Sequence, residues 1–407
     1  MARRCVSYSV GDMGGAGMVR RESEAHEARH PFPADLPALT SVRFGLALGV
    51  VFFHYQLQWP WDAMATTGFL DRARLGVDAF FILSGFVLTH AYRDAIAGHR
   101  LNYGRFLVAR FARIYPAHLA VLAFVLVMVT TASLMGVQFD RNLYNPLGLV
   151  TTLLLVHAWL PEMVKADWNG PSWSLSAEWF AYLAFPAFAW IGLKLRRRPM
   201  LLLALTALLF LALDQFYQAA FGDVVVHAEA SMGILRIIPE FLYGVALYHL
   251  GVRLLLGRRA AVLFAWAAAI LLVALMHLKA DDRWVVAAAG PLVLALAMLS
   301  KVQAEGVLKA RWPRLGGEAS YALYLVHMPI LIAWKGVWSA AQGRDSQYVL
   351  GWWEVAALLA LSLLAAIALH LLFEGPARAW IRRRADRLWP APEARAQMPP
   401  GSQPPDV

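Results

Sequence analysis

Residues 39–55 read LTSVRFGLALGVVFFHY, an apolar run long enough for a membrane span that nevertheless carries Arg43 and His54. On a helix, eleven residues turn through roughly 1100°, so the two side chains share a face about 16 Å apart along the axis. Gly45 and Gly49 fall on the opposite face, four apart, where small residues let another helix pack closely. One side of this helix reads as packing and the other as a polar path. An ionisable side chain inside a bilayer is costly unless it faces a cavity or a partner, so both residues mark a functional site. The structural alternative, a buried ion pair or an arginine reaching the interface, suits Arg43 better than His54.

The rest of the chain agrees with a membrane reading. Of its 407 residues 59% are hydrophobic and only 16% charged, with mean hydropathy +0.52. That leaves too little polar surface for a soluble core of this length, and implies an all-α, polytopic helical bundle. The single cysteine, Cys5, excludes a disulfide framework and a cysteine metal site. Residues 1–37 are polar and Gly-rich, then broken by prolines, with no apolar core for a cleaved signal. They read as a disordered cytosolic tail, with Met18 as an alternative start. Residues 38–377 read as one transmembrane domain and 378–407 as a basic, Pro-rich cytosolic tail.

Ten apolar runs are long enough to span: 38–57, 76–92, 115–136, 172–193, 199–219, 232–250, 260–278, 284–300, 318–338 and 352–373. An eleventh, 147–160, is short. Loop charge decides between ten and eleven, because cytoplasmic loops collect Lys and Arg. With ten spans one side holds 27 basic residues and the other seven; an eleventh would put Arg196–Arg198 opposite the basic loop 93–113. Both termini are therefore expected in the cytoplasm of a multi-pass inner-membrane protein, with 147–160 peripheral or re-entrant outside. The net charge of +10 is then mainly topological and implies no nucleic acid.

This orientation places the other polar residues. Asp78 opens the second span from outside, with Ser84 further in. Arg110 and Arg113 stand at the inner end of the third. Trp173, Ser174 and Glu178 enter with the fourth, in PSWSLSAEWF. The sixth carries Arg236 and Glu240, read as an intrahelical ion pair. The ninth carries Ser320, Tyr324 and His327 as a stripe at i, i+4, i+7. His54 is a general base only if a hydroxyl is near and a partner orients the ring; Asp78 and Glu178 are the candidate partners, and His327 competes for the role. Arg43, Arg110 and Arg113 make either a polyanion pocket or, for the last two, a positive-inside signal. Trp173 is read chiefly as an aromatic-belt residue as well as a pocket candidate. His26, Glu27 and His30 spell H-E-x-x-H in the polar tail, with prolines following at once, and carry little weight as a metal site.

Together these residues resemble a known family. Arg43-x10-His54, GVDAFFILSGF (76–86), Arg110-x-x-Arg113, WSLSAE (173–178), Arg236-x-x-Pro-Glu-Phe, SYALYLVH (320–327) and Glu374-x-Pro376 are similar, in order, to acyltransferase family 3, the integral-membrane O-acyltransferases. The resemblance covers about residues 37–377 and implies transfer of an acyl group, commonly acetyl from acetyl-CoA, to a hydroxyl. Implied acceptors are envelope or exported polysaccharide and glycolipid, or in some branches a small molecule such as a macrolide. It also implies that Arg43 and His54 are the essential pair and Arg110 and Arg113 a second arginine motif. No cofactor is expected to stay bound; acyl-CoA is the donor substrate, and envelope-glycan assembly proteins are conceivable partners. A transporter or flippase for an anionic or sugar-linked substrate is the rival reading, weakened by the lack of a repeated Arg/His pattern. An inactive scaffold is the blander one.

Overall fold

A computed structural model of the protein describes residues 32–61, 66–137, 140, 142–161, 167–343 and 347–388. The His26/His30 motif, most of both tails and Arg141, Lys165 and Arg344 of the charge count lie outside the described residues. Among the described residues all regular structure is helical. The long helices are α1 (Pro37–Gln56), α2 (Gly76–Ala97) and α3 (Tyr103–Leu134), followed by a short α4 (Pro146–Leu153). Next come α5 (Trp173–Leu183), α6 (Phe185–Leu195), α7 (Pro199–Phe221), α8 (Gly233–Arg253) and α9 (Arg258–His277). The last are α10 (Asp282–Lys301), α11 (Arg311–Gln342), α12 (Trp352–Leu369) and α13 (Gly375–Leu388), with a π-helical turn, His370–Glu374, between α12 and α13.

Local chemistry sets the ends. Pro37 opens α1, and Asn102 caps α3 by accepting from the Arg105 amide at 2.9 Å. Gly222 and Gly343 close α7 and α11 in the left-handed conformation, φ 74° and 65°. Hydropathy sees only the apolar centre of a helix, so α3 begins well before the expected span. Arg105, Arg110 and Arg113 sit on its opening turns rather than in a loop. At 32 residues α3 is about 48 Å long, beyond what a bilayer core needs. The segment expected to be peripheral forms α4, eight residues or about 12 Å, too short to cross. The described chain is packed from its first residue: Phe32 is buried edge-on to Phe86 and His90.

Among the described residues, seven helical segments are long and apolar enough to cross a membrane: α1, α2 with its leading turn, α3, α7, α9, α10 and the α12–α13 unit. The protein is thus an all-α, multi-pass membrane bundle. The outward faces of α7, α9 and α12 are apolar, exposing Leu208, Ile270 and Leu364, while α8 and α11 bury Arg236, Glu240, Ser320 and His327. A helix wrapped by others can carry polar groups, which is why α8 and α11 are less apolar overall. The α5–α6 pair is one broken rod, interrupted at Ala184 with Pro186 starting the second piece.

Contacts fix the helix directions. Helices α1 and α11 run parallel, with Gly317 against the Thr40 carbonyl at one end and His327 beside His54 further along. Helices α2 and α8 are also parallel, joined by Asp78–Arg236 at one end and Phe86–Tyr248 at the other. Helix α3 runs antiparallel to the π-helical turn and α13 that follows it, through Arg113–Glu374 and Arg105–Asp386. The expected glycine face of α1 is not where packing is tightest. A Cβ on Gly45 would meet nothing within 4 Å, whereas one on Gly85, Gly244 or Gly317 would run into a neighbouring backbone.

Candidate active site

Two cavities lie in line through the bundle and share Val77 and Tyr324 in their walls. The one nearer the start of α1 has a volume of about 120 Å³ and is built by α1, α2, α3, α5 and α11. Arg43, Arg110 and Arg113 converge on it. Arg113 is bound to Glu374, which is fully buried in the π-helical turn and also meets His370 Nδ1 at 3.0 Å. Arg43 and Arg110 have no ion pair among the described residues, and the Nε of each is buried without a partner. The Arg110 guanidinium stands 5.9 Å from each of the Tyr92, Phe106 and Tyr182 rings, and Arg43 is 5.7 Å from Phe80. Aromatic walls hold a guanidinium without neutralising it. The cavity's carboxylate, Glu178, accepts from Ser84 at 2.8 Å and Tyr182 at 2.6 Å. With Arg113 matched by Glu374, the site keeps an excess of positive charge, which suits a bidentate anion.

The second cavity, about 370 Å³, contains His54 with Arg74, His157, Asp167, Asn169 and Trp173 in its lining. Its roof comes from the segment around α4. The Asp167 amide bonds the Leu143 carbonyl at 2.7 Å, and Trp168 Nε1 bonds the Asn145 carbonyl at 2.9 Å. His157 is pushed down to about pKa 4 by burial, so it stays neutral at physiological pH. Tyr324, at the junction of the cavities, donates to the Pro171 carbonyl and accepts from Ser174, both at 2.9 Å. It is locked in place by the turn that starts α5.

His54 Nδ1 is 2.9 Å from the Val50 carbonyl and 3.1 Å from His327 Nε2. A proton on Nδ1 satisfies both contacts, whereas a bare Nδ1 would set its lone pair against the carbonyl oxygen. The arrangement therefore leaves Nε2 as the basic nitrogen. His327 is fully buried and lies beside His54.

Three expectations need correction. Neither Asp78 nor Glu178 touches His54: Asp78 is claimed by Arg236, at 2.8 and 2.7 Å through both carboxylate oxygens, and Glu178 faces the arginine cavity. Arg236 and Glu240 are not an ion pair, because the Arg236 fork reaches across to α2 instead of along its own helix. Trp173 is not a belt residue; it is buried, 5.0 Å over the Arg236 guanidinium. The structure does gather Arg43, Arg110, Arg113, Ser84, Ser174, Glu178 and Tyr324 at one cavity, and His54, Trp173 and Tyr324 at the next. Sequence reasoning missed Arg74, His157, Asn169 and Tyr182. Their only local signal was proximity to quoted motifs, as for Asn169 just ahead of PSWSLSAE.

Over residues 36–371 the chain matches the family model described as an acyltransferase domain, and it belongs to that family, acyltransferase family 3. It is a membrane acyltransferase. Among curated relatives it is 30% identical over 382 residues to Acyltransferase MdmB of Streptomyces mycarofaciens, covering 86% of this chain and 93% of that one. It is 28% identical over 188 residues to the Putative peptidoglycan O-acetyltransferase YrhL of Bacillus subtilis, 43% of this chain and 27% of that one. It is 27% identical over 185 residues to Peptidoglycan O-acetyltransferase OatA of Listeria monocytogenes, covering 41% and 26% respectively. No solved structure matches the chain.

Proposed function

We propose that the protein moves an acyl group, most simply acetyl, from acyl-CoA in the arginine cavity to a hydroxyl of a small-molecule acceptor, of the macrolide kind, in the His54 cavity. The observation that carries this reading is the pair of cavities meeting at Val77 and Tyr324, one with two unpaired guanidiniums and one with an oriented imidazole. Arg43 and Arg110 take the CoA phosphates, and the thioester reaches toward Tyr324. His54 Nε2 removes the acceptor hydroxyl proton as the oxygen attacks the thioester carbonyl. The C–S bond breaks, and the proton passes from His54 to the departing thiolate, leaving ester and CoA thiol. The Val50 carbonyl and His327 hold the ring for this.

Two facts favour a small acceptor over a polymer. The acceptor cavity is roofed and falls within the usual size of small-ligand sites. The chain also aligns nearly end to end with Acyltransferase MdmB, but with about a quarter of the peptidoglycan enzymes. Those peptidoglycan O-acetyltransferases support a second reading, in which the hydroxyl belongs to an envelope polysaccharide or glycolipid. The transporter and scaffold readings fall away with membership of an acyltransferase family.

The chain crosses the inner membrane ten times with both termini cytoplasmic, so the donor enters from the cytoplasm and the acceptor from outside. The basic-residue asymmetry supports this. So do the parallel α1/α11 and α2/α8 pairs and the antiparallel α3/α13 pair, as alternation over ten crossings requires.

The test is incubation of membranes with radiolabelled acetyl-CoA and either a hydroxylated macrolide or extracted envelope glycan, comparing wild type with His54→Ala. Label on the macrolide with wild type only is the expected result. Label confined to glycan moves the assignment to the second reading. Transfer that persists in a membrane-inserted His54→Ala variant overturns the mechanism.

A further inference from the structure

The arginine cavity, at about 120 Å³, falls below the roughly 300–1,000 Å³ of ordinary small-ligand sites and cannot enclose a whole acyl-CoA. With the thioester toward Tyr324 and the diphosphate on Arg43 and Arg110, the far end of that molecule, an adenosine bearing a 3′-phosphate, lies outside the cavity. The element that borders the cavity there is α13. Its Arg378, Arg382 and Asp386 are four apart and share a face, and the Asp386–Arg105 bridge shows that this face meets the opening turn of α3. Arg378 Nη1 stands 3.8 Å from Glu374 Oε1, the oxygen already held by Arg113 of the cavity wall. The charged neighbours of Arg378 are Arg113, Arg382, Glu374 and Glu318. Three guanidiniums thus stand around two carboxylates. Arg378 is 31% exposed, and Arg382 is exposed with no ion pair among the described residues. The positive excess of the cavity therefore runs outward along α13 for one and two turns, about 6 and 12 Å, as open guanidinium groups. Arg384, by contrast, lies over the Trp380 ring at 5.3 Å, off this face.

We propose that Arg378 and Arg382 form the subsite for the 3′-phosphate of the donor, an inference that rests on acyl-CoA being that donor. A phosphate monoester carries two charges and accepts forked hydrogen bonds from guanidinium, so two adjacent arginines with open nitrogens suit it. The order along the ligand, from thioester through diphosphate to 3′-phosphate, then matches the order along the protein, from Tyr324 through Arg43 and Arg110 to Arg378 and Arg382. The phosphodiester of an anionic lipid headgroup shares the chemistry but offers a single charge.

The test measures binding of CoA and of dephospho-CoA, which lacks the 3′-phosphate, to the full-length protein in phosphatidylcholine nanodiscs by equilibrium dialysis. Wild type should bind CoA about tenfold more tightly than dephospho-CoA, as expected for charge-assisted hydrogen bonds to one phosphate. Arg378→Gln/Arg382→Gln should bind CoA only as tightly as dephospho-CoA. Arg382→Gln alone, which leaves the Glu374 contacts intact, should lose part of the preference and carries the test if the double variant fails to fold. Arg384→Gln/Arg387→Gln removes the same charge from the same helix and should keep the preference; an equal loss there would show diffuse attraction and overturn the proposal. A preference undiminished in Arg378→Gln/Arg382→Gln would also overturn it, and phosphatidylglycerol that co-purifies with wild type but not with this variant would then give the pair to a lipid headgroup. Those two failures leave the donor reading standing, whereas wild type that binds neither CoA nor dephospho-CoA overturns both.

Discussion

At the scale of single residues, the site separates side chains that look equivalent in sequence. Arg110 and Arg113 are three apart on one helix, yet Arg113 is matched by Glu374 while Arg110 is caged by rings. Arg113→Gln should lower the melting temperature in detergent more than Arg43→Gln, because it takes the nearest cation from the buried Glu374 carboxylate and leaves it only His370 and Arg378. Arg43→Lys keeps the charge but loses the planar fork; we expect KM for acyl-CoA to rise about tenfold with a smaller change in kcat, in steady-state assays. His327→Gln should cut kcat by about 10–100-fold with donor KM nearly unchanged, since it loosens the His54 ring rather than the donor site. Unchanged kcat would remove His327 from the account. The sequence showed Arg43 and His54 plainly, because charge in an apolar run needs no partner to be noticed. It could not show who pairs with whom: Asp78–Arg236 and Arg113–Glu374 join residues far apart in the chain, and only packing brings them together.

At the scale of elements, packing is set by glycines the sequence reading passed over. It singled out Gly45 and Gly49 by spacing, but spacing marks a face and does not say which face has a neighbour. The close crossings are at Gly85 and Gly244 between α2 and α8, and at Gly317 between α11 and α1. Gly317→Ala and Gly244→Ala should each destabilise by about 1–3 kcal/mol through backbone displacement, whereas Gly45→Ala should be near neutral or stabilising. Melting temperatures of the three variants decide this; equal losses would contradict the packing described. The centres of the long helices were legible from hydropathy, their ends less so, since α3 and α11 run on into polar sequence where capping, not apolarity, stops them.

At the scale of the whole molecule, the described helices make one bundle with a polar core, and its two ends differ. At the end away from the start of α1, His227 bridges Asp223 at 2.8 Å and Asp282 at 2.9 Å, where Arg72 and Arg74 also converge. Chiefly through the bond to Asp282, this raises the His227 pKa above its ordinary 6.5. A raised histidine stabilises the fold fully below 6.5 and loses that contribution as pH climbs through the folded-state value. Wild type should therefore lose thermal stability relative to His227→Gln as pH rises above 6.5; parallel curves would contradict it. Membrane class and the all-α bundle were legible in composition, whereas the two-cavity division was not, because it depends on which helices touch. The most direct measurement of the central claim is label transfer from radiolabelled acetyl-CoA in sealed vesicles of known orientation, with acceptor on both sides. Transfer is predicted when the donor meets the cytoplasmic face, and none in His54→Ala. Equal transfer from either face, or transfer without His54, would contradict a donor cavity opening at the basic end and a histidine base beyond it.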